Sequence, residues 1–147
     1  PAAELLARSL PHAPDGVPPE AVALRAIELH RPRVRTPIEM GRALSSYARD
    51  PEEYDADGLK KHVKPDTGRH LEALAEALGG LSEWSAASTE AALRATAEAG
   101  GVSAGKLIHP VRLALTGVTV GAPLFDVVEL LGKETTLRRL RRFIETV

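Results

Sequence analysis

Apolar residues in this chain recur at intervals of three and four and almost nowhere alternate, and Pro and Gly break that recurrence again and again along its 147 residues. Such a pattern predicts a set of short amphipathic helices and leaves no run that would pair as a strand. No strand-helix-strand alternation occurs either, so the fold class is all-α, built by packing helix on helix.

The punctuation places the helices. A weak one is predicted over 3–9, then a Pro-rich turn (Pro11, Pro14, Pro18, Pro19) leading into a helix over 20–30 with Val22, Ile27 and Leu29 as apolar contacts. Thr36, Pro37 and Glu39 form T-P-I-E, a capping box in which Thr36 and Glu39 each satisfy an orphan backbone N–H, with the helix ending before Pro51. A short helix over 56–63 stops at Pro65, and a longer one over 67–78 carries the stripe Leu71, Leu74, Leu78. Gly79 and Gly80 terminate it and mark the expected boundary between two small helical subdomains, 1–80 and 81–147, the second anchored by Trp84. Helices over 86–98 and 103–115 follow, closed by Gly100–Gly101 and by Gly117. Pro123 opens the next, which buries Leu124, Val127, Val128 and Leu131 and ends at Gly132 as a left-handed C-cap. The last helix is expected to bury Leu137, Leu140, Ile144 and Val147.

A hydrophobic fraction of 44% over this length is enough for a useful core. No cysteine is present, which excludes disulfides and thiolate metal sites. No apolar run reaches the roughly 20 residues needed to cross a bilayer, and the N-terminus lacks the basic, apolar, small-residue order of a signal peptide. A cytoplasmic protein with no membrane partner is expected, and the start at Pro1 reads as a piece of something larger. The formal charge of −1 argues against indiscriminate nucleic-acid binding. Its distribution is uneven: residues 101–147 hold 7 Lys and Arg against 4 Asp and Glu, a surplus of +3, while the rest carries −4. Arg outnumbers Lys 14 to 5, which suits bidentate contact with phosphate or a base edge and equally suits a GC-rich coding bias.

Four places carry candidate chemistry. In HRPRVRT, residues 30–36, Pro32 and Pro37 bias Arg31 and Thr36 toward extended backbone. Arg31, Arg33 and Arg35 would then project to one side just ahead of a capped helix N-terminus, a natural place for an anion. A solvated connector with ion pairs to Glu28 and Glu39 explains the same spacing. Arg94 is a lone cation on an alanine-rich helix, where a solubilising role suffices. Arg112 follows Pro110 and sits between apolar Val111 and Leu113, so its charge must reach the surface or find a partner. The segment Gly117–Phe125 has two glycines that allow close backbone approach to a base edge, or simply connects two helices. Arg138, Arg139, Arg141 and Arg142 read mainly as the solvated face of the last helix. His62, Asp66 and His70 lack any familiar metal-ligand spacing.

These motifs, taken in order, resemble the C-terminal anticodon-binding region of bacterial-type glutamyl-tRNA synthetases: Gly105-Lys106, the P-x-R of Pro110 and Arg112, ALTG at 114–117, PLF at 123–125 and LLGKE at 130–134. The resemblance covers nearly the whole chain and is densest over 27–36, 57–65 and 101–142. It implies an α-helical cage of two subdomains that holds the anticodon loop of glutamate tRNA. By that likeness Arg33 reads the first anticodon base, with Arg35 in the same R-x-R-x-T element. Arg94, at the W-(x)9-R spacing from Trp84, and Arg112 also contact RNA, and the loop around Gly121 together with Leu124 touches the anticodon. Two departures stand out. The family's Ser/Thr-Pro pair is Gly121-Ala122 here, and His109 replaces the usual Gln. The ATP-binding HIGH-like and KMSKS-like motifs of class I synthetases are missing, so this chain alone is not expected to aminoacylate. ATP and Mg are expected only in an N-terminal catalytic region of the same protein, and this chain itself needs no cofactor or metal. A helical protein-docking module is the other function class these features allow.

Overall fold

The computed structural model describes residues 2–13 and 16–147, and among them finds nine α-helices, two 3-10 turns and no strand. Two compact units emerge, Pro1–Asp50 and Pro51–Val147. The glycine pair at 79–80, the boundary expected from sequence, lies inside the second unit, where the helices on either side of it pack on one another.

The first unit holds α1 (Ala2–Ser9), α2 (Glu20–His30) and α3 (Pro37–Ala48), with 3-10 turns at Leu10–His12 and Arg31–Arg33. Of the Pro-rich turn, Pro14 lies outside the described residues. Ala23, Ala26 and Ile27 of α2 pack with Met40, Leu44 and Tyr47 of α3 in a small core. Gly41 lets the first 3-10 turn ride directly over α3, since a Cβ there would stand 2.5 Å from the His12 carbonyl. His30 closes the α2 end of this core with a 2.6 Å hydrogen bond to the Tyr47 hydroxyl. Thr36 caps α3 as expected, its hydroxyl accepting from the Glu39 N–H at 3.1 Å. Glu39 reaches one residue further back than a capping box requires, to the Arg35 N–H at 3.0 Å.

The second unit contains α4 (Ala56–His62), α5 (Thr67–Gly79), α6 (Ala86–Ala99), α7 (Gly105–Thr116), α8 (Leu124–Leu131) and α9 (Lys133–Ile144). α5 supplies the predicted stripe of Leu71, Leu74 and Leu78, and α7, α8 and α9 close over it with Leu107, Leu113, Val128, Leu140 and Phe143. Trp84 is half-buried against this core and donates its indole N–H to the Val128 carbonyl at 3.1 Å. Tyr54 meets Phe143 edge to face, centroids 4.9 Å apart.

The last helix departs from expectation in two ways. Val147 is exposed and Phe143 takes the buried place, because α9 ends at Ile144 and the helical stripe does not continue beyond it. Arg139, read as part of a solvated basic face, is 2% exposed and donates to the Leu115 carbonyl at 2.8 Å. That carbonyl lies in the last turn of α7, where helix geometry leaves acceptors unpaired and the macrodipole is negative, so a buried guanidinium is held there by both effects. Gly132 has the positive φ expected of it, but its ψ of 166° places it outside the left-handed helical region.

Candidate nucleic-acid interface

α7 and the loop that follows it form the most fully built part of the candidate site. Pro110 lies within α7 and the helix runs on through it to Thr116. Arg112 is half-buried, and its guanidinium Nη1 donates to the Ala122 carbonyl at 2.9 Å. The sequence left this charge either the surface or a partner, and a half-buried Arg112 finds its partner in the loop itself. Gly121 sits close by, since a Cβ built on it would stand 3.4 Å from Arg112 Nη1. Its φ of 153° is one an L side chain rarely adopts, so this position favours glycine by backbone as well as by proximity.

The loop is pinned at its start by Gly117, whose φ of 78° and ψ of −6° form a left-handed C-cap on α7. Its carbonyl accepts the Asp55 N–H at 2.8 Å. Gly58 of α4 tucks beneath the Thr119 methyl, with no room for a Cβ. Between these fixed points Val118 and Val120 are exposed, Val120 by 76%. Leu124, expected to touch RNA, is instead packed in the core, so its side chain supports the loop from beneath and is not offered to a ligand.

Arg33 and Arg35 belong to the other unit, and their connector is not the stretched segment that sequence suggested. Arg31 adopts helical angles (φ −48°, ψ −45°) although Pro32 follows it, and its N–H continues the α2 ladder to the Ile27 carbonyl. Pro32 occupies an early position of a 3-10 turn, where its missing N–H leaves nothing unpaired, and this outweighs the pre-proline bias. Alternation therefore does not align the three arginines. Arg33 is exposed and lies over the end of α2, its Nη1 3.5 Å from the Leu29 carbonyl. Arg31 pairs with Glu28 at 3.6 Å. Extended backbone resumes at Val34 and holds at Thr36, with Arg35 exposed between them. Arg94 is exposed on α6 and donates to Glu90 one turn earlier at 2.9 Å, a surface pair that is easily exchanged for another anion.

Two side-chain pairs that the sequence reading did not bring together, His62 with His109 and Asp66 with Lys106, join residues far apart in the chain. His62 at the end of α4 stacks on His109 of α7, centroids 4.3 Å apart and planes within 17°. Burial, followed by the positive groups His109, Lys61 and Lys64, holds the His62 imidazole below its ordinary pKa. Asp66 accepts from Lys106 at 2.6 Å and contacts His70 Nε2 at 3.2 Å. The Lys106 hydrogen bond is the main reason its carboxyl titrates below the usual range. Among the described residues no group of three or more His, Asp or Glu is arranged to hold a metal ion, and no helix is long and apolar enough to cross a membrane.

Residues 4–144 match the family described as the anticodon binding domain. Curated relatives include glutamate–tRNA ligases of Moorella thermoacetica, 42% identical over 113 residues (76% of this chain, 23% of the relative), and Desulforudis audaxviator, 44% identical over 123 residues (82% and 25%). Among solved structures, a glutamate tRNA ligase from Elizabethkingia meningosepticum in complex with its amino acid superposes with a TM-score of 0.87 at 27% identity, covering 99% of this chain and 29% of that one. The chain thus spans about a quarter of the length of the relatives it matches. The family match runs from α1 to α9 and so takes in both units, and by that match this chain belongs to the anticodon-binding domain family.

Proposed function

We propose that this chain reads the anticodon loop of glutamate tRNA as part of a cytoplasmic glutamate–tRNA ligase, whose N-terminal catalytic region would use ATP and Mg to attach glutamate. The observation that carries this reading is the family match over residues 4–144, together with relatives that bear the ligase name. The side chains are suited to the task. Sequence-specific RNA recognition works on splayed single-stranded bases whose edges accept or donate hydrogen bonds. Arg33, Arg35 and Arg94 offer exposed guanidinium groups for such edges, and Arg112 with Gly121 offers a braced guanidinium beside a loop backbone. Aromatic residues make up only 3% of the chain, so recognition by broad base stacking fits poorly.

The test is binding of the chain to glutamate-tRNA anticodon stem-loops and to single-base anticodon variants at two salt concentrations, followed by fluorescence anisotropy. The expected result is binding that weakens with salt and depends on the anticodon. Arg33→Ala is expected to lower discrimination at the first anticodon base by roughly 1–3 kcal/mol, and an unchanged ratio between variants removes that role. Binding indifferent to the anticodon would reject the reading.

A second reading, a protein-docking module, draws on an open groove of about 820 Å³ between α5 and α6, lined mainly by Ala73, Ala77, Ala92, Ala95 and Ala99. Docking through that groove would be insensitive to salt and to Arg112→Ala, the reverse of what the RNA reading expects.

A further inference from the structure

We propose that His62 and His109, with Lys61 and Lys64 beside them, form a contact surface for the phosphate backbone of the bound RNA, and that RNA binding draws a proton onto the histidine pair. The inference rests on the RNA-reading role proposed above and adds a set of residues to it.

Packing of α4 on α7 brings the two imidazoles face to face at 4.3 Å. His109 is exposed and His62 half-buried, so the outer edges of the pair are open to a ligand. The groups around it are cationic. Lys61 precedes His62 and Lys64 follows the helix end, and among the described residues neither ammonium has an ion-pair partner. On α7, Lys106 and Arg112 flank His109 one turn to either side, Lys106 bound to Asp66 and Arg112 to the Ala122 carbonyl. The nearby acids are otherwise engaged or distant. Asp66 holds Lys106 and His70, Asp55 caps the start of α4 through the Gly58 N–H, and Glu53 lies at that same far end, against Gly117. Asp57 sits in the first turn of α4 with Lys60 and Lys61 in the last. The loop over α4, residues 118–122, has no charged side chain.

Lysines at the C-terminal end of α4 also complement the helix dipole, which is enough to explain Lys60 and Lys61 alone. It does not explain why a second helix presents a histidine to the first. Burial, and then the neighbouring His109, Lys61 and Lys64, hold the His62 imidazole below its ordinary pKa in the free chain. A phosphate supplies the missing counter-charge and accepts the ring N–H, so a solvent proton moves onto one imidazole nitrogen as the RNA docks. Repulsion across the stack limits the uptake to about one proton. His109 shares a helix face with Arg112, which makes this surface continuous with the candidate base-reading loop.

The experiment is the affinity of the glutamate-tRNA anticodon stem-loop for the chain at fixed salt from pH 8 to pH 5.5, comparing the unaltered protein with His62→Gln/His109→Gln and with Lys61→Ala/Lys64→Ala. The unaltered chain is expected to bind about five- to tenfold more tightly at pH 6 than at pH 8, as linkage to one proton predicts. The histidine variant should lose that slope, and the lysine variant should reduce the salt dependence by about one or two counterions. Unchanged Trp84 emission and helical circular dichroism establish folding; His109→Gln alone, at an exposed position, serves if the double variant fails that check. Anticodon-dependent binding that is flat with pH, or a slope that survives in the histidine variant, overturns this inference and leaves RNA reading intact. Absence of anticodon-dependent binding at every pH overturns both.

Discussion

Replacing Gly117 by alanine tests how the candidate loop is held. An L side chain at φ 78° costs about 1–2 kcal/mol for the left-handed conformation alone. The new Cβ would also stand 2.7 Å from the Glu53 carbonyl oxygen and 3.4 Å from the Pro51 Cβ, closer than the backbone contact can accept. Relief requires the loop and the segment before α4 to separate by several tenths of an ångström, which strains the 2.8 Å hydrogen bond from Asp55 N–H to the Gly117 carbonyl, worth about 1 kcal/mol. Against this, the lower chain entropy of unfolded alanine offsets about 0.4–1 kcal/mol. The net expectation is a loss of about 2–3 kcal/mol, or on the order of 10 °C in Tm for a unit of this size. Trp84 is the only tryptophan and lies in the second unit, so its fluorescence during urea or thermal unfolding reports that unit by itself. Gly68→Ala is the control: it lies in α5 with negative φ and an ordinary 3.7 Å contact, and should be neutral or slightly stabilising. A loss below about 1 kcal/mol in Gly117→Ala, or one no larger than in Gly68→Ala, would refute the argument that backbone geometry pins the loop.

Arg112→Lys keeps the charge but loses the planar fork, so RNA affinity should fall by roughly tenfold, with a larger loss in Arg112→Ala; equal affinity in all three would remove Arg112 from the site. Thr136 buries a hydroxyl with no partner among the described residues, and Thr136→Val should raise the stability of the second unit by about 1 kcal/mol, read by Trp84 unfolding, whereas a decrease would mean the hydroxyl is paired. Arg139→Ala removes a fully buried side chain and unpairs the Leu115 carbonyl, and should cost about 3 kcal/mol by the same assay; a change under 1 would contradict its structural role. Burial first, then Arg33, lowers the pKa of His30, so the unfolded chain binds the proton more readily. The stability this contributes is present above the unfolded value of 6.5 and is lost as pH falls below it, so melting followed by circular dichroism should show a drop there that His30→Gln flattens.

The helices were legible because their signals are local. Thr36 with Pro37 announces the start of α3, and the Leu71, Leu74, Leu78 stripe announces the buried face of α5. What failed depended either on a competition between local signals or on contacts across the chain. The pre-proline rule sends Arg31 toward extended backbone, yet α2 carries it into one more helical hydrogen bond, because that bond competes directly with a modest steric bias. The glycine pair at 79–80 looks like a linker by composition, but it only ends α5, and α6 returns along the same core. No local pattern records that return.

The site arginines show the same limit in chemical form. A sequence lists Arg112, Arg138 and Arg139 as equivalent cations, and periodicity assigns each to a face. Whether a guanidinium is free to meet RNA depends on which carbonyls lie within reach after folding. Arg139 meets the end of α7 and is buried there, while Arg112 meets the loop at Ala122 and stays half open beside Gly121. One arginine thus ties α9 to the C-terminal turn of α7, and another, on α7 itself, braces the loop that begins at that turn. The loop is fixed from both ends by hydrogen bonds to backbone carbonyls, at Gly117 from Asp55 and at Ala122 from Arg112, while Val118 and Val120 between them stay exposed. Fixed ends hold the loop's hydrogen-bonding edges in place before a ligand arrives, so less ordering entropy would oppose the proposed RNA binding than a slack loop would impose.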